Sequence, residues 1–183
     1  MKVGIAGAGG LGSNCAVNLV RCGFSHFVIV DFDVIEPSNL NRQFYFLDQV
    51  GKPKVTALKD NLLRINADVA IDARIVRLDV SNIREMFDGC EVVVEAFDAA
   101  ESKKMIAEDW GKRAHLFVSV SGIAGYGNAD DITTRRISKS FYLVGDGVSE
   151  VNSNTPPCSP RVNVAAAKMA DVILMWALDE QTI

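Results

Sequence analysis

The chain has 183 residues, 49% of them hydrophobic, and a formal net charge of −4. That size and apolar content fit one domain, residues 1–183, with a sizeable core. The absence of any Lys/Arg run argues against nucleic acid as a partner, and the apolar stretch at the N-terminus meets glycines too soon for a secretory signal or a membrane span, which makes the cytoplasm the expected compartment.

Val3–Ala6 reads as a strand apolar on both faces, as buried parallel strands are. Leu11, Cys15 and Leu19 then mark one face of a helix, with Gly23 as its stop. Phe27–Val30 is a second buried strand. A second helix over Lys52–Ile65 carries Val55, Leu58, Leu62 and Ile65 at helical spacing. Ile71, Ala73 and Ile75 alternate with Asp72 and Arg74, the pattern of a half-exposed strand. Val92–Val94 and Leu116–Val118 are further buried strands, separated by a helix over Ser102–Trp110 that ends at Gly111.

The alternation changes after that point. Asp131–Ile137 and Ser140–Val144 read as two strands joined tightly around Ser138 and Lys139. Gly145–Cys158, with the pair Pro156-Pro157, is a loop long enough to suspect a functional role. Pro160 can open a last helix whose buried face is Ala165, Met169, Val172, Ile173 and Trp176. The expected fold is α/β and Rossmann-like: a mostly parallel sheet flanked by helices, with an antiparallel hairpin near residues 131–144.

The four cysteines, Cys15, Cys22, Cys90 and Cys158, form no CxxC pair. Cys15 and Cys22 are placed on one helical face about 10 Å apart along the axis, too far for a disulfide. His26 and His115 are isolated, so no cysteine- or histidine-based metal centre is expected.

Gly7, Gly9 and Gly12 satisfy GxGxxG between a strand and a helix, where glycines permit a tight turn and the helix N-terminus favours an anion. Asp31 stands at the end of the next strand, 19 residues after Gly12, the usual place for a carboxylate on ribose hydroxyls. The plain alternative is a turn that only packs helix against strand. Behind the second strand come Asn39, Asn41, Arg42, Gln43, Lys52 and Lys54. Arg42 offers a planar fork to phosphate oxygens and Lys54 a mobile charge, a set suited to a triphosphate more than to NAD. Without the glycine loop upstream the same residues would read as a solvated polar loop. Asp98 follows the strand Val92–Phe97, at the edge where open α/β sheets place ligands. It can hold Mg²⁺ against phosphates, or cap the helix that begins in Asp98-Ala99-Ala100-Glu101; spacing leaves both open.

Taken together, Gly7-Ala8-Gly9-Gly10-Leu11-Gly12-Ser13, Asp31-Phe32-Asp33, Ser38-Asn39-Leu40-Asn41-Arg42-Gln43-Phe44, Gly51-Lys52-Pro53-Lys54-Val55 and Asp98 resemble the ThiF/MoeB/HesA superfamily, related to ubiquitin-activating enzymes. The resemblance runs from Lys2 to about Leu178 and is nearest the short ThiF subgroup of thiamine biosynthesis. It implies ATP-dependent adenylation of the C-terminal glycine of a ThiS-like sulfur carrier with a diglycine tail, by a homodimer. It further implies that the loop Gly7, Gly9, Gly10, Leu11 and Gly12 and the residues Asn39, Arg42, Gln43 and Lys54 hold the nucleotide's phosphates. Asp31 would bind its ribose and Asp98 Mg²⁺, and Arg42, Lys54 and Asp98 would be the catalytic set. The carrier's tail would pass beneath Gly145–Cys158 along Ser121–Gly127.

Three departures from the family pattern accompany the match. Longer members have an N-terminal helix that donates an arginine to the partner subunit's site, whereas this chain begins at its first strand, leaving Arg135, Arg136 and Arg161 as candidate substitutes. Paired CxxC motifs are missing, so structural zinc is not expected. The asparagine that commonly follows the metal-binding aspartate is Ala99. Cys158, in the region where some relatives form a covalent bond with the carrier, reads better as a small apolar filler, because no His or Lys stands near it in sequence. The competing functions are a non-catalytic nucleotide- or carrier-binding module of the same fold and a small NAD-binding redox protein.

Overall fold

Parallel pairing builds the centre of the protein. In a computed structural model, which describes residues 1–180, seven strands form one sheet in the order β3-β2-β1-β4-β5-β7-β6. The strands are β1 (Val3–Ala6), β2 (His26–Val30), β3 (Ala70–Arg74), β4 (Val92–Glu95), β5 (Leu116–Val120), β6 (Thr133–Arg136) and β7 (Phe141–Gly145). All neighbours are parallel except β6 and β7, which form the antiparallel hairpin at one edge. The fold is thus the expected Rossmann-like one.

Among the described residues, five α-helices cover the sheet: α1 (Gly10–Arg21), α2 (Lys54–Leu63), α3 (Ile83–Met86), α4 (Ala100–Trp110) and α5 (Ser159–Glu180). Successive strand residues face opposite sides, which explains why the central strands are apolar throughout. On one side Val3, Ile5, Phe27, Ile29, Val92 and Val94 pack with Leu19 of α1, Leu58 of α2 and Met169 and Ile173 of α5. On the other, Ala6, Val28, Val93 and Phe117 pack with Ile83 of α3 and Ile106 and Trp110 of α4. Each large side chain so buried contributes about 1.5–3 kcal/mol, which is the main force holding helices to sheet.

Several local expectations are corrected. Helix α2 begins at Lys54, not Lys52, because Lys52 and Pro53 are engaged in a short antiparallel contact: the Ile35 N–H donates to the Lys52 carbonyl at 2.9 Å and Val34 pairs with Pro53. Strand β4 stops at Glu95 rather than Phe97. Cys15 is buried inside α1, but Cys22 lies past its end as the exposed C-terminal cap, so the two do not share a helical face. Helix α3 has four residues, too few for periodicity to reveal. No described helix is long and apolar enough to cross a membrane.

Candidate functional site

The chain leaves β1 for β2 on one side, whereas β4 leads to β5 on the other, so the carboxyl ends of β1 and β4 flank the point where the winding reverses. Open α/β sheets place ligands in the crevice at that point. Its two walls touch: the Ala96 N–H donates to the Ala6 carbonyl at 2.9 Å, just beyond β4 and β1. Gly7 turns the chain there at φ +100°, and a Cβ on it would come within 2.8 Å of the Ala96 carbonyl oxygen. A Cβ on Gly12 would overlap the Gly7 carbonyl. Both positions therefore require glycine. Gly9 caps α1 without any side-chain hydrogen bond, which leaves first-turn amides and the positive end of a 12-residue helix facing the crevice.

The glycine loop is clamped by the segment after β2. Asp31 accepts the Ala8 N–H through Oδ2 at 2.6 Å and the Asp33 N–H through Oδ1 at 2.8 Å. The buried Tyr45 hydroxyl donates to the Ala8 carbonyl at 2.6 Å. Ser13, fully buried, accepts the Phe44 N–H at 3.0 Å, and the Asn14 amide donates to the carbonyls of Gly10 and Arg42 at 2.7 and 2.9 Å. Burial pushes the Asp31 carboxyl above the usual carboxylate range, against the pull of its two N–H donors and the Lys54 charge. Burial, helped by the Asp31 charge, pushes the Tyr45 hydroxyl up as well.

Arg42 and Gln43 reach the loop directly. The Arg42 Cγ lies 3.4 Å from where a Gly10 Cβ would sit, and its guanidinium donates to Asn41 Oδ1 at 2.7 Å and to the Ser38 carbonyl at 3.4 Å. Gln43 is 9% exposed, with Nε2 beside Gly9 and an Oε1 that has no partner among the described residues. The orphaned Oε1 is an acceptor and calls for a ligand hydroxyl or amine, whereas Nε2 beside the glycine loop is the end that can donate to a phosphate oxygen. Asn39 spends Oδ1 on the Glu36 N–H at 3.1 Å, which closes the short turn that presents Arg42. Lys54 heads α2, and its buried side chain places Nζ 2.7 Å from Asp33 Oδ2.

Asp98 is exposed in the bend between β4 and α4, and among the described residues it has no hydrogen-bond or ion-pair partner. The helix cap is Ala99, so the capping alternative for Asp98 does not hold. Among the described residues no three His, Cys, Asp or Glu are grouped to hold a metal. Mg²⁺ needs no such cage: it keeps most of its water and takes one or two protein carboxylates together with substrate phosphates. The unengaged Asp98 carboxylate, in the bend that follows the carboxyl end of β4, fits that demand.

The two loops named for a carrier tail are laced together. Gly125 donates its N–H to the Pro156 carbonyl at 3.0 Å and pairs with Pro157, and the Ala124 N–H donates to Ser149 Oγ at 3.0 Å. Arg161 is buried at their base, 2.5 Å from Asp146 Oδ2 and donating to the carbonyls of Gly127 and Asn128 at 2.8 and 3.0 Å. Arg136 donates to the carbonyls of Ser138 and Lys139 and lies over the Tyr142 ring. Neither is free to serve a nucleotide, which leaves exposed Arg135 of the three candidates. Cys158 is half-buried, with Sγ 3.6 Å from the Pro156 carbonyl. Beside these loops an open concavity of about 500 Å³ is lined by Tyr126, Asn128, Asn154, Thr155 and Arg161.

No sequence pattern singles out Asn14 or Tyr45. The available signal was weak: Tyr45 stands between Phe44 and Phe46, and such a run reads as core.

The model of the ThiF family matches residues 1–171. Among curated proteins, the SAMP-activating enzyme E1 of Haloferax volcanii is 40% identical over 98 residues, covering 53% of this chain and 36% of that protein. The adenylyltransferase and sulfurtransferase UBA4 of Eremothecium gossypii is 35% identical over 127 residues, covering 69% of this chain and 29% of that protein. The chain thus spans little more than a third of the length of these relatives at most. Among solved structures, E. coli tRNA N6-threonylcarbamoyladenosine dehydratase, TcdA, in complex with ATP, superposes with a TM-score of 0.87 at 18% identity, over 99% of this chain and 87% of that one. At that identity the likeness is one of fold.

Proposed function

The chain belongs to the ThiF family, and on that premise we propose that it is an ATP-dependent adenylyltransferase that activates the C-terminal glycine of a ubiquitin-like sulfur carrier. The observation that carries this reading is the meeting of the glycine loop with Asp31, Arg42 and Gln43, with Lys54 near enough for its charge to bear on Asp31, at the crevice between β1 and β4, while Asp98 follows the carboxyl end of β4. The names of relatives, one an E1 activating enzyme and one an adenylyltransferase, support it. We assign the carrier to the ThiS-like class with a diglycine tail, in thiamine biosynthesis, and the enzyme to the cytoplasm as a homodimer.

In this reading the carrier's terminal carboxylate oxygen attacks the α-phosphorus of ATP. A P–O bond forms as the bond to the β-phosphate bridging oxygen breaks, giving acyl adenylate and pyrophosphate. The chain contributes position and charge rather than a covalent intermediate. First-turn amides of α1 and the Gln43 amide receive phosphate oxygens, and Arg42 and Lys54 balance charge that gathers on the departing pyrophosphate. The Asp31 carboxylate, already oriented by Ala8 and Asp33, has lone pairs left for ribose hydroxyls. Asp98 would hold Mg²⁺, which when bound neutralises phosphate charge. Lys54 must exchange its Asp33 contact for a phosphate one.

ATP–pyrophosphate exchange in the presence of a small β-grasp protein ending in Gly-Gly tests the proposal. Carrier-dependent exchange is expected. ATP binding without exchange for any diglycine carrier overturns it in favour of a binding module, and a larger thermal shift with NAD than with Mg²⁺–ATP overturns it in favour of a redox protein.

A further inference from the structure

A buried carboxylate stands at the end of β4, between two apolar layers. Glu95 is 0% exposed, and burying such a charge is costly unless it is fully paired. Its pairing is complete and comes from three elements. Oε1 accepts the Phe97 N–H at 2.7 Å from the loop after β4, and Lys103 Nζ at 3.1 Å from α4. Oε2 accepts the Ser119 hydroxyl at 2.6 Å and the Val120 N–H at 3.4 Å from β5, and Lys103 again at 3.3 Å. Lys103 also donates to the Val120 carbonyl at 3.1 Å, closing the network.

Through Phe97 this network reaches into the loop that carries Asp98, at the residue before it. Ala96 is fixed to Ala6 and the Phe97 ring packs against the core, but α4 has no side-chain cap and Asp98 makes no hydrogen bond or ion pair among the described residues. The Glu95 hold on the Phe97 N–H, together with that ring, fixes the direction in which the next residue leaves the sheet. The Lys103 and Ser119 contacts stop the Glu95 carboxylate from rotating.

We propose that Glu95, locked by Lys103 and Ser119, is a positioning residue that sets the Asp98 carboxylate at the crevice for the metal–nucleotide complex. The inference rests on reading Asp98 as the metal-binding carboxylate. Glu95 itself contacts no substrate. Groups bonded directly to a metal ligand change metal affinity by about 10–100-fold when altered, and Glu95, which acts through the neighbouring Phe97 N–H, is expected at the lower end of that range.

Glu95→Gln places an amide N–H₂ against donors on one side of the network, and Ser119→Ala removes a single hydroxyl without touching the ion pair. Three measurements decide: thermal stability, amide hydrogen exchange over Phe97–Ala100 in the free protein, and the Mg²⁺ concentration giving half-maximal ATP–pyrophosphate exchange. In Glu95→Gln, faster amide exchange across that segment is expected, with about a tenfold rise in the Mg²⁺ midpoint and near-normal exchange at saturating Mg²⁺. Ser119→Ala should give the same changes on a smaller scale, about threefold, and it decides alone if Glu95→Gln does not fold. Lower thermal stability with unchanged amide exchange and an unchanged Mg²⁺ midpoint overturns the proposal. Asp98→Asn separates the two levels. If it leaves the midpoint unmoved, the metal reading of Asp98 fails. If it moves the midpoint while the Glu95 and Ser119 variants do not, only the positioning role fails.

Discussion

The Tyr45 hydroxyl donates a 2.6 Å hydrogen bond to the Ala8 carbonyl, across 37 residues of sequence. Ala8 gives its N–H to Asp31 on its other side, so one residue of the glycine loop is gripped by both ends of its peptide environment. Tyr45→Phe keeps the ring and removes only the donor, leaving a buried carbonyl unpaired. A loss of about 1–2 kcal/mol in unfolding free energy is expected from denaturant titration. ATP affinity should fall with it, since the loop is no longer held open. An unchanged affinity would mean that Asp31 alone sets the loop.

Arg42→Ala and Asp98→Asn address the proposed chemistry. Neither side chain supports the core, so melting temperature should stay within a few degrees of the parent. Carrier-dependent ATP–pyrophosphate exchange should fall by about 100-fold in each, the usual cost of removing one charge-stabilising group. Full exchange in either variant would remove that residue from the site.

Lys54 is held by Asp33 at 2.7 Å, and the Asp33 side chain is 47% exposed. A pair with one solvated partner is worth about 1 kcal/mol at most, which corresponds to about a fivefold change in affinity. Asp33→Asn frees the ammonium and should tighten ATP binding by up to about that factor in calorimetric titration. Weaker binding would show that Asp33 itself serves the nucleotide.

How far the sequence carried this picture depends on the range of the forces involved. The central strands were legible because a parallel sheet buried on both faces demands unbroken apolar runs, as at Val92–Val94 and Leu116–Val118. Gly12 was legible because the Gly7 carbonyl a few residues back excludes any Cβ, and Gly7 because the tight turn after β1 holds it at φ +100°. Glu95 is not legible in the sequence because its partners, Lys103, Ser119 and Val120, are brought to it only by the β4–α4–β5 crossover. A charge closing an apolar strand was nonetheless a signal, since buried charges are rarely left unpaired. Likewise the Lys54–Asp33 contact follows from the Val34–Pro53 pairing, which no local pattern announces.

Asp146 predicts an acid-dependent stability. Burial pushes its carboxyl up, but the N–H groups of Ser149 and Val148, the Ser149 side chain and the Arg161 charge outweigh it and hold the group below the usual carboxylate range. With the folded value below the unfolded one, the contribution is fully present above about pH 4 and is lost as pH falls through the folded value. Asp146→Asn should cost about 3 kcal/mol at pH 7, because Arg161 loses its buried counter-charge. The parent–variant difference, followed by denaturant unfolding from pH 7 to 3, should shrink as pH falls. A difference constant with pH would assign the loss to packing alone.

Strand β6 gives the sheet a guarded border. All four of its residues are exposed and two of them, Arg135 and Arg136, are cations, while β7 beside it keeps Tyr142 and Val144 buried. Without the hairpin, β7 would offer another molecule a row of open peptide groups over an apolar face. At the opposite border β3 carries the Asp72–Arg74 pair at 2.7 Å. A strand arriving at either end must displace hydrated charge before it can bond. Growth of the sheet from one molecule into the next, the first step of ribbon-like aggregation, is thereby opposed at both of its margins.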